Sequence, residues 1–272
     1  MYRLVLKLTT PRYVVPRLTD GLGNRLFQYA VALGLAKKWN RTVAFSRDFL
    51  LPTNHGDSED FFKLFPDVPI IAGPTAPKIL GLSINLVFSF IDLEEPPEDV
   101  VVSGHMHNPQ YFEEVDIRPT WPLVPQETSG AWMIHFRRGD YDILPHHQVN
   151  LTRYYRRCLL AVPEGSKLRV FSDEPERCKE LLESVVDGRH FDISWSAETV
   201  DYKALYEMSL CTGGAITANS TFSWWGAYFG RQRALANALA NAGYKAYYPN
   251  SWGQFPDPAG IVPAWGEVVD TK

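Results

Sequence analysis

Tyr13-Val-Val-Pro-Arg-Leu-Thr-Asp20-Gly21-Leu-Gly23-Asn24-Arg25-Leu26-Phe27-Gln28-Tyr29-Ala30 is the stretch whose reading decides the fold. A short apolar run feeds a glycine turn, as a strand does on leaving a sheet. Beyond the turn, Leu26, Phe27, Tyr29, Ala30, Leu33 and Leu35 recur at helical spacing as far as Lys37-Lys38. Basic residues suit a helix C-terminus, where the backbone dipole is negative. Arg41 to Phe45 then alternates like a strand. Strand, turn, helix and strand in that order open an α/β layer fold.

Working outward, Val100-Val-Val-Ser-Gly104 is a second buried strand ending in glycine, and Asp48 to Pro77, rich in Pro, Asp and Gly, reads as irregular. The apolar run Ile79 to Ile91 spans 13 residues, short of the ~20 needed to cross a bilayer, and reads as a core helix or strand pair. Arg118-Pro-Thr-Trp-Pro-Leu-Val-Pro125 holds three prolines and marks a boundary between residues 1–125 and 126–272. After it the α/β pattern starts again. Strands are predicted at Trp132–His135, Leu168–Phe171 and Gly214–Ala218, and helices at Leu151–Leu160, Glu174–Val185, Leu205–Cys211 and Phe222–Phe229. The expectation is an α/β protein of two Rossmann-like halves with an intervening cleft. Ligands in such folds sit at the carboxyl ends of strands.

Composition narrows the function. A net charge of −4 over 272 residues leaves no basic excess, so nucleic acid is not an expected partner. The three cysteines, Cys158, Cys178 and Cys211, lie among apolar neighbours with no C-x-x-C or Cys/His cluster. They read as buried free thiols, with no structural zinc. Met1 to Leu8 shows no apolar leader, so a cytoplasmic protein without a membrane segment is expected.

Four constellations could carry chemistry. Gly21-Leu-Gly23-Asn24 would let a backbone approach a ligand and aim helix N–H groups at an anion, or it is a plain tight turn. His135-Phe-Arg137-Arg138-Gly-Asp140-Tyr141 follows a buried strand. Its guanidinium forks suit a diphosphate, and the alternative is a structural Arg–Asp pair. Asp140-Tyr-Asp142 has the form of a metal–diphosphate pattern, which a neighbouring arginine makes redundant. Asp173, in Phe171-Ser-Asp-Glu174, could accept from ribose or base, or cap a helix. Ala218-Asn219-Ser220-Thr221-Phe222-Ser-Trp224-Trp225-Gly226 offers hydroxyls at a helix N-terminus, with the tryptophans read as core rather than as a sugar platform.

Taken in order, these pieces resemble the α-1,2-fucosyltransferases of glycosyltransferase family 11. Gly21-Leu-Gly-Asn24 with Leu26-Phe-Gln-Tyr-Ala30 is similar to the family's opening motif, and His135-Phe-Arg-Arg-Gly-Asp140 to its H-x-R-R-G-D signature. Phe171-Ser-Asp173 and Ala218–Gly226 are similar to its later blocks. The resemblance implies a GT-B fold, GDP-fucose as donor, a glycan acceptor, no metal and inversion at the fucose carbon. It assigns Arg138 to the diphosphate, with Asn24 and Asp140 beside it in the catalytic set. Gly21, Gly23, His135, Asn219, Ser220, Thr221 and Phe222 fall in the donor site, with Asp173 and Asp201 as further candidates. Arg137, one residue away on an extended segment, is expected to face structure and pair with an acid. Arg25, Ala204 and the Gly104-His-Met-His107 segment depart from the family pattern and bear on acceptor choice. A protein O-fucosyltransferase-like enzyme and an inactive nucleotide-sugar or glycan-binding module are the alternatives. Among His105, His107, Asp48 and Asp57, no general base stands out.

Overall fold

The structure, a computed structural model, describes residues 12–53, 57–237, 243–255 and 257–272. The leader reading at Met1 to Leu8 lies outside them. The first half comprises β1 (Tyr13–Pro16), α1 (Leu22–Lys38), β2 (Thr42–Val43), α2 (Asp60–Leu64), β3 (Lys78–Leu80) and β4 (Val100–Val102). The second comprises β5 (Trp132–Phe136), α3 (Asp140–Ile143), α4 (Thr152–Ala161), β6 (Lys167–Ser172), α5 (Pro175–Val186), β7 (Asp192–Trp195), α6 (Asp201–Ser209), β8 (Gly214–Ile216), α7 (Thr221–Ala236), β9 (Lys245–Pro249) and β10 (Glu267–Val269).

Each half builds its own parallel sheet, in the orders β2-β1-β4-β3 and β10-β9-β8-β5-β6-β7. The expected α/β, GT-B-like architecture is therefore what the chain adopts. In both sheets the strand order reverses beside the first strand. β2 lies on one side of β1 and β4 on the other; β6 lies on one side of β5 and β8 on the other. At such a reversal the connections leave to opposite faces and open a crevice at the strand ends. The crevices of the two sheets are lined by the segments after β1, β4, β5 and β8.

One apolar cluster runs through both halves. It joins Val14, Leu26, Phe27, Val100 and Phe112 to Met133, Met208, Trp224, Trp225 and Tyr248. α1 is buried on nearly every side because it is wedged between the first sheet and α7. Trp224 and Trp225 are fully enclosed and stand 4.7 and 5.2 Å from the Phe27 ring, so they are core. The opposite face of the second sheet packs Trp132, Ile134 and Phe136 on α4 and α5. The proline-rich connection is pinned at both ends: Thr120 N donates to Leu64 O, and Gln126 N to Tyr206 Oη, at 2.7 and 2.8 Å.

Two sequence readings need correction. Ile79 to Ile91 is no core helix or strand pair. β3 is an edge strand, and Ile79, Leu86 and Phe90 are exposed, while Val87 and Phe88 are buried and Leu80 and Leu82 pack part-buried against the core. The stretch from Asp48 to Pro77 also contains α2, whose Phe61, Phe62 and Leu64 fill the core under Tyr29 and Phe45. The three cysteines are free and buried as expected. Among the described residues no helix is long and apolar enough to cross a membrane.

Candidate active site

A cleft of about 970 Å³ opens where the two sheets' crevices meet. The segment after β1 supplies Asp20, Gly21, Gly23 and Asn24, and that after β4 supplies His105 and His107. The segment after β5 brings His135, Arg137 and Asp140; that after β6 brings Asp173; that after β8 brings Ser220, Thr221 and Phe222. Asp201, which opens α6, also lines it.

The base of the cleft is a meeting of two helix starts. Thr221 Oγ1 donates to Asn24 Oδ1 at 2.9 Å, and Trp225 Nε1 donates to Gly23 O at 3.0 Å. The approach is so close that a Cβ on Gly23 would lie 2.5 Å from Phe222 N; only glycine fits. Neither α1 nor α7 has a side-chain cap or an acidic residue in its first turn. Two positive helix ends thus converge with their N–H groups unshielded by protein carboxylates, which is where an anion is stabilised.

The arginine pair is placed the other way round from the sequence expectation. Arg137 lines the cleft, and Arg138 does not. Alternation explains it. Met133 belongs to the core on the cleft side and Phe136 to the packing against α4, so Arg137 follows His135 and Arg138 follows Phe136. Arg137 does pair with acid, and with two. Its Nη1 donates to Asp173 Oδ2 at 2.7 Å and its Nη2 to Asp140 Oδ1. Its guanidinium lies over the Tyr141 ring at 5.1 Å, and Tyr141 in turn stacks on His147 at 4.3 Å. Arg138 turns toward Asp142, its Nε 3.4 Å from Oδ2, and Arg177 holds the same carboxylate at 2.9 Å.

Asp173 neither caps α5 nor stands free. Its two oxygens accept from Arg137 Nη1 and from the Arg138 backbone N–H at 2.9 Å, so it fixes the fork. Gly139, at φ +49°, lets the chain turn tightly beside it, and a Cβ there would sit 2.7 Å from Asp173 Oδ2. Asn219 is the second correction. It does not line the cleft; it is buried, and its Nδ2 donates to His147 O at 2.9 Å, holding the loop that carries the Tyr141–His147 stack. The departure at Arg25 is also structural. Its buried guanidinium donates to Leu51 O at 2.8 Å and Ser58 O at 3.1 Å, tying the loop after β2 to α1.

Burial sets the charge of the imidazoles. His135 is pushed down to about 3 by burial and then by Arg137, so it is neutral, with Nδ1 buried and unpartnered among the described residues. Burial, then His146, pushes His147 down to about 4. Arg137 is the guanidinium that lines the cleft, and Asp140 and Asp173 hold it there. Asp140 and Asp142 point to different guanidiniums and form no common chelate. Among the described residues no cluster of three metal-ligating side chains occurs.

The segment 124–248 matches the sequence model of glycosyl transferase family 11. That match covers most of the second half, so this half is similar to the family 11 glycosyltransferases. It is similar to an α-1,2-colitosyltransferase of Escherichia coli, 25% identical over 260 residues, covering 79% of this chain and 87% of that one. It is also similar to the O-antigen biosynthesis glycosyltransferase WbnK of Escherichia coli, 29% identical over 109 residues, covering 38% and 35% of the two chains. Among solved structures, fucosyltransferase NodZ from Bradyrhizobium superposes with a TM-score of 0.45 at 14% identity, over 80% of this chain and 92% of that one.

Proposed function

We propose that the protein transfers L-fucose from GDP-fucose to a hydroxyl of a glycan acceptor, the 2-OH of a galactose or similar sugar, with inversion at the fucose carbon. The observation that carries this reading is the Arg137 fork, held by Asp140 and Asp173 in the same cleft as two uncapped helix starts. In such a transfer the bond from the fucose carbon to the diphosphate oxygen breaks, and its electron pair leaves on the nucleotide. A planar guanidinium already fixed by two carboxylates stabilises that charge without reorganising. The N–H groups of the first turn of α7 add to it. His135, held neutral by burial, lines the same cleft without adding charge.

The reading needs no metal, since Asp140 and Asp142 are already engaged by arginines. The likeness to a colitosyltransferase supports a second reading, in which GDP-colitose is the donor. The test is release of the nucleoside diphosphate, GDP from GDP-fucose, GDP-colitose and GDP-mannose and UDP from UDP-galactose, with EDTA present, followed by linkage analysis of the product. GDP-fucose should lead and EDTA should leave the rate unchanged. A preference for the UDP-sugar, or activity abolished by EDTA and restored by manganese, would refute it.

A further inference from the structure

Across the cleft from the arginine fork, the first half presents a second charged device. His105 Nε2 lies 2.8 Å from Asp20 Oδ2. An ionised carboxylate only accepts, so Nε2 carries a proton, and a ring bearing that one proton has its lone pair on Nδ1. No hydrogen bond from the described residues occupies that nitrogen. Both side chains line the cleft and are part-exposed to it.

The pair is built rather than incidental. Buried Gln28 on α1 clamps the two turns that carry it. Its Oε1 accepts from Thr19 N at 2.9 Å, and its Nε2 donates to Thr19 Oγ1 at 2.7 Å and to Gly104 O at 3.4 Å. Thr19 Oγ1 passes the chain on, donating to Asp20 Oδ2 at 2.7 Å. Asp20 sits at φ +61° and Gly104 at φ +80°, so both turns leave their strands in the left-handed region and converge. The hydrogen bond from His105 is the first cause holding the Asp20 carboxyl down at about 2. His147 lies within electrostatic reach of both Arg137 and His105, and all three line one cleft.

We propose that His105 is the general base of the transfer and that Asp20 is the positioning residue that fixes its tautomer; this rests on the donor reading above. The acceptor oxygen forms its bond to the fucose carbon as the bond to the diphosphate breaks. The electron pair of that bond leaves on GDP, and the acceptor's proton passes to His105 Nδ1. The resulting imidazolium faces the Asp20 carboxylate and later loses its proton to water.

The test compares wild type, His105→Gln and Asp20→Asn in GDP release from GDP-fucose, with water as the acceptor and with azide as the acceptor. Water must lose a proton to react, and azide need not. Asn tolerates the left-handed backbone at position 20. For His105→Gln the hydrolysis rate should fall more than tenfold, within the roughly 10²–10⁴ range of general-base contributions. Azide-dependent release, GDP affinity and Tm should stay within about twofold of wild type. Asp20→Asn should show the same selective loss to a smaller degree. Hydrolysis by His105→Gln that drops less than tenfold overturns the assignment, and so does a parallel loss of hydrolysis and azide release. Azide release retained in every variant keeps the donor reading even if the base assignment fails. A wild type that neither binds GDP nor releases it sinks both.

Discussion

Arg137→Ala is the most searching perturbation of this site. The side chain bridges Asp140 and Asp173 and is one-fifth exposed. Its removal takes away the fork that faces the cleft and leaves two carboxylates bare where a diphosphate is proposed to sit. Losing one preorganised donor at a developing anion costs about 3–4 kcal/mol, roughly 10²–10³ in rate. The two ion pairs are partly screened and are worth about 1 kcal/mol or less each to stability, so the variant should remain folded. Arg137→Lys should not restore turnover, because one ammonium cannot span both carboxylates and a ligand in fixed geometry. Arg138→Ala is the control. Asp142 keeps Arg177 at 2.9 Å, and turnover should fall less than about tenfold. The assays are kcat/KM for GDP release, GDP affinity by calorimetry and Tm. A well-folded Arg137→Ala that turns over near the wild-type rate, or an Arg138→Ala that suffers the larger loss, would refute the placement of the diphosphate.

Gly23→Ala would put its Cβ 2.5 Å from Phe222 N, against backbone that cannot yield. Overpacking of about 1–3 kcal/mol should lower Tm by roughly 3–10 °C and weaken GDP binding, and an unchanged Tm would contradict the head-to-head helix contact. His135 and His147 titrate at about 3 and about 4 in the folded chain, below the ordinary value of about 6.5. Between those values the unfolded chain binds more protons. Their contribution to stability is therefore full above about pH 6.5 and is lost as pH falls toward 3–4. Tm should decline through that window, and His135→Gln should flatten the decline; equal slopes in wild type and variant would argue against a buried neutral His135.

Much of the fold was legible because its signals are local. The glycine turn after Tyr13–Leu18, the helical spacing from Leu26 and the repeat of the pattern after Pro125 all report on neighbours in sequence. The edge strand β3 was not legible, since its apolar residues are exposed and imitate a core run. β9 and β10 were missed for a related reason: the polar and aromatic mixture of Lys245–Pro249 has no clean alternation and is buried by tertiary packing. In the site, period-two alternation from His135 already puts Arg137 beside it on the cleft side, so that signal was present and misapplied. The roles of Asn219 and Asp173 were invisible, because their partners lie 72 and 36 residues away in the chain. The His105–Asp20 pair spans 85 residues and depends on Gln28 drawing two turns together, which no local pattern encodes.

The continuous core has a consequence for how this molecule can be rebuilt. A cleft between two sheets invites exchange of one half for that of a relative with another acceptor. Here the floor of the cleft is a lock whose notch is Gly23 and whose key is the Thr221–Trp225 turn. Chimeras cut within residues 118–125 would separate the strands cleanly yet inherit mismatched halves of that lock. Acceptor range is therefore better altered by changing loops on the cleft's upper walls, with α1 and α7 carried over as a matched pair. The same joint should couple the two halves into one unfolding transition, so a graft that disturbs it should reveal itself first as a split melting curve.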